Sequence, residues 1–435
     1  LYNHKTIDNE HYFSGQKIRE LILFYSKNKP FTSFKISDQR SVLTNIFVKE
    51  ENKEVNYAIV KRIDDFVTKI FDKQGENKFL IPSLIYNKNP FFGLNDLPKF
   101  LAPFNTSFLE EISFLKSYLH FYLSSNLSID LRKDHWVIGG LQTYLIIKFI
   151  EKYYPKEKYL GRVGNFKLLK AYNLANINFN ESFWMYYEFM ERANLQQSDL
   201  LSKSQLIKFN EKIGSPYHVG VGLRYLEYYL GKQSLDNVLK EYLNQTDDKR
   251  LNLLDLIHKY SSKNIDWFEQ FYLKERLPID IKIKSLNKRK DSIQVNLSKY
   301  SDDKVPFLLT QIKDKKILSQ QWIENMGTTS SVILENLNPD YLAINPEIRL
   351  PETNKNNNWR YVKNFLNTKP IQFNFLRDYE SPKRNQIFYN PVVNYNLYDG
   401  LSIGSRFYDK GLLTQRFTFE LMPKYSSLQD DRLLH

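Results

Sequence analysis

Between Phe104 and Pro155 the chain carries two apolar blocks of helical period joined by a short polar loop, and this stretch limits what the rest can become. In the first block Phe108, Ile112, Leu115, Leu119 and Tyr122 recur in steps of four and three, which lines them along one face of a helix over Ser107–Leu123. Ser107 followed by Glu110 reads as a capping box, each side chain satisfying an orphan N–H of the first turn. The second block opens at Asp134-His135-Trp136 and runs through Leu141, Leu145 and Phe149 to Tyr154-Pro155. The two helices are expected to lie side by side.

Within this stretch, Lys133-Asp134-His135-Trp136 and Gly140-Leu141-Gln142-Thr143-Tyr144 fit a known frame without a gap. The text from Leu115 to Leu145 resembles the active-site segment of the gluzincin zinc aminopeptidases, the aminopeptidase N family. In that family a helix carries His-Glu-x-x-His. After eighteen intervening residues a glutamate on the next helix supplies the third zinc ligand. On that frame His120 is the second ligand, Lys116 stands at the first ligand position, Ser117 at the general-base position and Gly139 at the third ligand position. The resemblance thus implies the framework of a metallopeptidase with its zinc chemistry removed.

A catalytic zinc takes three protein ligands and keeps a water position open. One imidazole does not meet that need, and Lys116 sets a cation where the metal belongs. The remaining histidines, His4, His11, His135, His218, His258 and His435, provide no partner at the four-residue helical spacing. Loss of the general base alone costs on the order of 10²–10⁴-fold in rate.

Other family marks are mixed. The Gly-x-Met-Glu-Asn strand that anchors a substrate's free amine has no counterpart in Ile81–Pro103, where only Gly93 is of the right type. Met190-Glu191, the sole Met-Glu pair, follows the site instead of preceding it. Pro216-Tyr217-His218-Val219-Gly220 matches the family's Pro-Tyr-x-x-Gly, so the resemblance puts Tyr217 at the oxyanion-stabilising position. Read from the residues alone, Tyr217 is a half-buried packing tyrosine at a helix start and His218 an exposed first-turn residue. Asp266-Trp267-Phe268-Glu269-Gln270-Phe271 resembles the Trp-Phe helix that closes the family's catalytic region. The resemblance covers Asn56 to Leu273, about half of the chain.

The chain's 435 residues are 42% hydrophobic and 15% aromatic, enough for packed cores in two or three domains. Lysine and arginine exceed the acids by 62 to 49, a net charge of +13. These cations are scattered apart from Lys282–Lys290, which reads as a mildly basic surface suited to an anionic membrane or polymer and not to nucleic acid. With no cysteine there is neither disulfide nor thiol chemistry. No stretch has the length of a transmembrane helix and no signal peptide is recognisable. The start at Leu1 reads as that of a fragment or processed product.

In order, residues 1–50 read as the end of a β region, with strands at Phe34–Ile36 and Val42–Val48. Residues 51–275 form the aminopeptidase-like part: a helix over Asn56–Phe71, a strand over Phe79–Tyr86, the paired helices, and a helical segment over 156–210 containing a helix at Phe183–Glu191 and a loop at Asn194–Lys203. Helices follow from Pro216 to Gly231, over Leu235–Leu243 and over Leu251–Tyr260. After Pro278 apolar residues alternate, predicting a small antiparallel β-sandwich over 276–350. Pro351–Trp359 is Asn-rich, and 351–385 reads as a linker. Over 386–435 alternation returns with hairpin turns at Asp399-Gly400 and Asp409-Lys410-Gly411. This is either a terminal hairpin docked on the sandwich or the opening of an outer-membrane β-barrel.

The expected fold is therefore α+β, a thermolysin-like (gluzincin), mostly helical peptidase domain followed by a β-sandwich and a C-terminal hairpin region. The expected role is that of a catalytically inactive scaffold without cofactor. It would present its former substrate cleft to a peptide or protein in the periplasm or at the outer membrane of a bacterium. One alternative is an active zinc peptidase using His120, Tyr217 and a carboxylate such as Glu110, Glu111 or Asp134. The other is a soluble appendage of a barrel, associated with the membrane through its C-terminal region.

Overall fold

The structure, a computed structural model, describes residues 2–8, 10–15, 31–38, 40–47, 52–72, 78–88, 90–91, 104–127, 129–245, 250–347, 350–363, 368–413 and 417–428. It is a mixed α+β protein. The chain opens on an antiparallel hairpin, β1 (Tyr2–Ile7) with β2 (Glu10–Gly15), within the part expected to be the end of a β region. Next, β3 (Thr32–Lys35) pairs antiparallel with β4 (Ser41–Thr44). A parallel partner for β4 needs a crossover, and α1 (Lys53–Phe71) provides it, burying Ile59, Ile63 and Phe66 before β5 (Lys78–Ile81) joins the sheet. The strand expected over Phe79–Tyr86 ends at Ile81. Pro82 has no N–H for a ladder, and α2 (Ser83–Lys88) follows, its first N–H donated to Asn45 Oδ1 at 2.7 Å.

The two apolar blocks fold as α3 (Thr106–Asn126) and α4 (His135–Tyr153). The helix boundary of α3 differs from the expected one. Asn105 is its N-cap and makes no side-chain capping bond, so Ser107 and Glu110 lie inside the helix and form no capping box. The segment expected to be helical over 156–210 is mostly turns closed by short-range bonds such as Gly161 N–H to Lys158 O (2.9 Å), with α5 (Asn173–Asn176) and α6 (Glu181–Arg192) embedded in it. Pro216 opens α7 (Ser215–Leu230), which stops at Gly231 with φ of +92°, a conformation glycine adopts at no steric cost. The chain continues directly into α8 (Lys232–Asn244) and α9 (Leu253–Tyr260), and a wide-turned helix over Trp267–Glu275 closes the helical part.

Helices α4 and α7 meet through glycines. A Cβ on Gly140 would fall 2.2 Å from Val219 Cγ1, and one on Gly220 would fall 2.5 Å from Thr143 Cβ. Val219 of α7 is therefore seated on Gly140 and Thr143 of α4 on Gly220, where a side chain would hold the helices apart, and both helices are buried over most of their surface.

Beyond Pro278, β6 (Ile281–Lys288), β7 (Ser292–Lys299), β8 (Phe307–Lys313), β9 (Lys316–Ile323), β10 (Thr329–Glu335), β11 (Tyr341–Ile344) and β12 (Trp359–Tyr361) form sheets ordered β10-β7-β6 and β12-β11-β8-β9. In β7 the alternation is complete, with Ile293, Val295 and Leu297 buried between polar neighbours. Strand β9 is exposed along most of its length and so carries no alternation to read. The stretch 351–385 is not a bare linker, since it contains β12 and β13 (Ile371–Phe375). Its asparagines work as buried hydrogen-bond partners: Asn358 Nδ2 donates to the buried Glu352 carboxyl at 2.9 Å, which also accepts the Ile281 N–H.

Strand β13 runs parallel to β14 (Asn385–Asn396), which pairs antiparallel with β15 (Gly400–Tyr408). Both β16 (Glu420–Leu421) and β17 (Lys424–Ser426) then pair with β15. This sheet is tied to the helical part by polar contacts. Asp378 accepts the N–H groups of Asn173 (2.7 Å) and Leu174 (3.1 Å), Tyr379 donates its hydroxyl to Glu188 (2.8 Å), and Arg192 grips Glu380 through two bonds. One continuous apolar core runs from the first sheet through the helices into the sandwich.

Gly140→Ala is expected to destabilise the protein by about 1–3 kcal/mol in urea unfolding, because Val219 has to move. Gly327→Ala, where the nearest atom to a new Cβ is 3.8 Å away, stays within about 0.5 kcal/mol of the parent. Equal effects at the two positions would refute the close helix approach.

Candidate functional site

The frame positions lie on α3, α4 and α7, and contacts between those helices bring them together. Gln142 on α4 donates its amide to the Lys116 carbonyl of α3 at 2.5 Å. Gly139 faces α7, where a Cβ would come within 2.9 Å of Pro216 Cγ, one residue before Tyr217.

Lys116 is 8% exposed. Its ammonium donates to the Pro90 carbonyl at 3.1 Å and sits 4.7 Å from the centre of the Phe91 ring. A ring face attracts a cation, but neither group carries a full negative charge, and burial pushes the Lys116 pKa down to about 7. Ser117 is buried and donates its hydroxyl back to the Ser113 carbonyl at 3.1 Å, so it is occupied with its own helix. His120 is exposed. Its pKa is held below the ordinary histidine value by partial desolvation, then by the neighbouring cations Lys116 and Lys203. Tyr217 is buried in an aromatic cluster, 4.8 Å from the Phe183 ring and 5.8 Å from that of Tyr186, and burial drives its hydroxyl pKa up. Gly93 lies outside the described residues.

These side chains do not fit the zinc that the resemblance implies. A lysine, cationic below about pH 7, stands at one ligand position, Gly139 offers no donor atom, and the exposed imidazole of His120 lies beside Lys116 and Lys203. Among the described residues no three His, Asp or Glu side chains come together as a metal-binding group. The carboxylates weighed as substitutes are placed elsewhere. Glu111 is held by Arg62 (Nε to Oε1 2.8 Å) and by the Tyr154 hydroxyl. Asp134 lines an open hollow of about 680 Å³ at the start of α4 with Trp136, Tyr242 and Arg250, and Glu110 is half-buried on α3.

The most elaborate polar cluster is one that the sequence conceals. His218 is not an exposed first-turn residue but is 1% exposed. Its Nδ1–H donates to Asp199 Oδ2 at 2.5 Å, and Arg276 Nη1 donates to Asp199 Oδ1 at 3.0 Å. The imidazole is stacked between Tyr272, at 3.9 Å, and Tyr187, at 4.8 Å. Burial, then Arg276, push its pKa down to about 4 against the pull of Asp199. Burial would raise the Asp199 pKa, but Arg276 and then His218 outweigh it and hold the carboxylate low. The cluster is therefore one ion pair braced by a neutral imidazole, a clamp between α7, the 194–203 loop and the end of the helical part. No local motif signals it, since Asp199 lies 19 residues from His218 and 77 from Arg276.

The chain is similar to the crystal structure of Legionella pneumophila aminopeptidase A in complex with aspartic acid, at a TM-score of 0.50 and 10% sequence identity. The likeness covers 75% of this chain and 38% of that one. The chain has an aminopeptidase-like fold. No protein-family model and no curated protein matches the sequence. The likeness extends to the architecture, while the chemistry of the site rests on the side chains described above.

Two outcomes follow. Between pH 7 and 10.5 the unfolded chain holds a proton on Lys116 that the folded chain has lost, so this residue makes stability rise with pH over that window. Lys116→Met is expected to remove that contribution and to be at least as stable at pH 7, read from urea unfolding at several pH values. In the clamp, Asp199→Asn leaves the Arg276 charge uncompensated and is expected to cost about 3–5 kcal/mol; a loss below about 1 kcal/mol in calorimetry would contradict the ion pair.

Proposed function

We propose that this protein is a catalytically silent relative of the gluzincin, thermolysin-like peptidases, a scaffold that binds a peptide or protein segment at the bacterial cell envelope. The observation that carries this reading is Lys116, whose ammonium is directed at the Pro90 carbonyl from the helix position of the first zinc ligand. With one imidazole at His120 and a glycine at 139, a zinc there is short of its three protein ligands, and below about pH 7 the Lys116 ammonium also repels it. No water is activated there, and Ser117 has no carboxylate with which to take its proton. Tyr217 keeps its place in the frame as a packing residue.

The hollow at the start of α4 supports the binding part of the reading. It combines the apolar surfaces of Trp136, Leu200 and Tyr242 with Asp134, Lys133 and Arg250, the mixture of apolar walls and a few charges that suits a peptide side chain and its backbone. The envelope location draws its support from the C-terminal sheet.

Metal analysis of the purified protein by mass spectrometry, paired with hydrolysis of aminoacyl-p-nitroanilides, tests the reading. Zinc far below one ion per chain and no hydrolysis above background are expected, with and without added zinc. One zinc per chain together with chelator-sensitive hydrolysis that His120→Ala abolishes would overturn it.

A further inference from the structure

The C-terminal sheet carries its apolar side chains on the face that no described residue covers. The register fixes this. Residues opposite one another share a face, and Val393 lies opposite Ile403, Tyr395 opposite Leu401, and Tyr389 opposite Phe407. On one side Phe375 continues the row from Tyr389, and on the other Tyr425 continues it from Ile403. Val393 is 63% exposed, Ile403 55%, Tyr395 72% and Tyr425 69%. No strand position on this face is charged.

The other face is polar. Asn390, Asn394 and Asn396 of β14 point there, the Arg406 guanidinium pairs with Glu420 across β15 and β16, and Ser402 meets Ser426 at 2.8 Å. Phe388 and Tyr408, at the end nearest the helical part, are buried on this polar side. A sheet in water buries its apolar face and wets its polar one. Here the arrangement is reversed.

We propose that the apolar face lies in the hydrocarbon layer of a lipid bilayer as part of the wall of a transmembrane β-barrel, with the polar face toward the lumen. Strand lengths fit for the antiparallel pair, β14 with 12 residues and β15 with 9, where a tilted strand needs about 9–11 to cross; β13, five residues long and parallel to β14, is not one of the crossing strands. The order of side chains fits as well. An aromatic row (Phe375, Tyr389, Phe407) is followed by a level of Val393, Ile403 and Tyr425, then by Tyr395 opposite Leu401, with Tyr398, 91% exposed, at the hairpin tip. The 12 residues of β14 extend about 36 Å at about 3.3 Å per residue, which at a tilt of about 45° spans the roughly 25 Å height of an apolar band.

The chain contains no cysteine, so single cysteines can be labelled cleanly. Val393→Cys and Ile403→Cys, with Asn390→Cys and Asn394→Cys as their counterparts on the other face, are made in the full chain and labelled with an environment-sensitive fluorophore. The probe is a vesicle of phosphatidylethanolamine and phosphatidylglycerol carrying nitroxide-labelled acyl chains. The labelled chains are expected to co-float with vesicles, with quenching several-fold stronger at 393 and 403 than at 390 and 394. Val393→Arg combined with Ile403→Arg is expected to lower co-flotation about tenfold or more, while the melting of the helical part stays unchanged. The proposal is overturned if the chain does not bind vesicles, if both faces are quenched alike, or if positions 393 and 403 are shielded in a vesicle-free oligomer. None of these outcomes bears on the reading of the helical site.

Discussion

The close packing of α4 against α7 at Gly140 and Gly220 is the constraint on which the rest of the helical part depends. Gly140 and Gly220 let two largely buried helices approach until a methyl group has no room. That approach sets Pro216 against Gly139, which brings Tyr217 and His218 to the start of α7 beside the frame helices. It also holds Gln142 where its amide reaches the Lys116 carbonyl. A longer side chain at 139 would have to displace Pro216. The glycine at position 139 and the tight helix contact are therefore the same fact seen from two sides.

Buried charge is handled in two ways in this molecule. The Asp199–Arg276 pair is stacked, hydrogen-bonded and backed by a neutral His218, so each charge has a partner. Among the described residues Lys116 meets a carbonyl and a ring face, and burial lowers its affinity for a proton. Such an amine is tolerated because it can become neutral, whereas a zinc-binding histidine would need the same space empty of cations. The polar contacts of Asp378, Tyr379 and Glu380 then fix the C-terminal sheet to the helical part, so the sheet is held in a defined place on the molecule.

Much of this was legible in the sequence where one period dominates. The helical stripes of α3 and α4, the run from Pro216 to Gly231, and the alternation of β7 and of Val393, Tyr395, Leu401, Ile403 and Phe407 all stand in the text, because burial on one face leaves a regular mark. Other features are settled by distant partners. His218 looks like a surface residue until Asp199 and Arg276 arrive from elsewhere in the chain. Ser107 and Glu110 have the spacing of a capping box, yet the helix starts at Thr106 and leaves both inside. The Asn-rich stretch beginning at Pro351 has a loop's composition, but Asn358 serves a buried carboxyl. At the frame, the sequence names the residues at 116, 117, 120 and 139. What it does not give is where the Lys116 ammonium goes, since Pro90 and Phe91 lie outside the motif.

The account turns on that ammonium. Diffraction from crystals grown with zinc, recorded at the zinc absorption edge, tests it most directly. The expected map has no anomalous peak at His120 and shows the Lys116 nitrogen within hydrogen-bond reach of the Pro90 carbonyl. A strong peak bonded to the His120 imidazole, with the lysine swung away, would contradict the account.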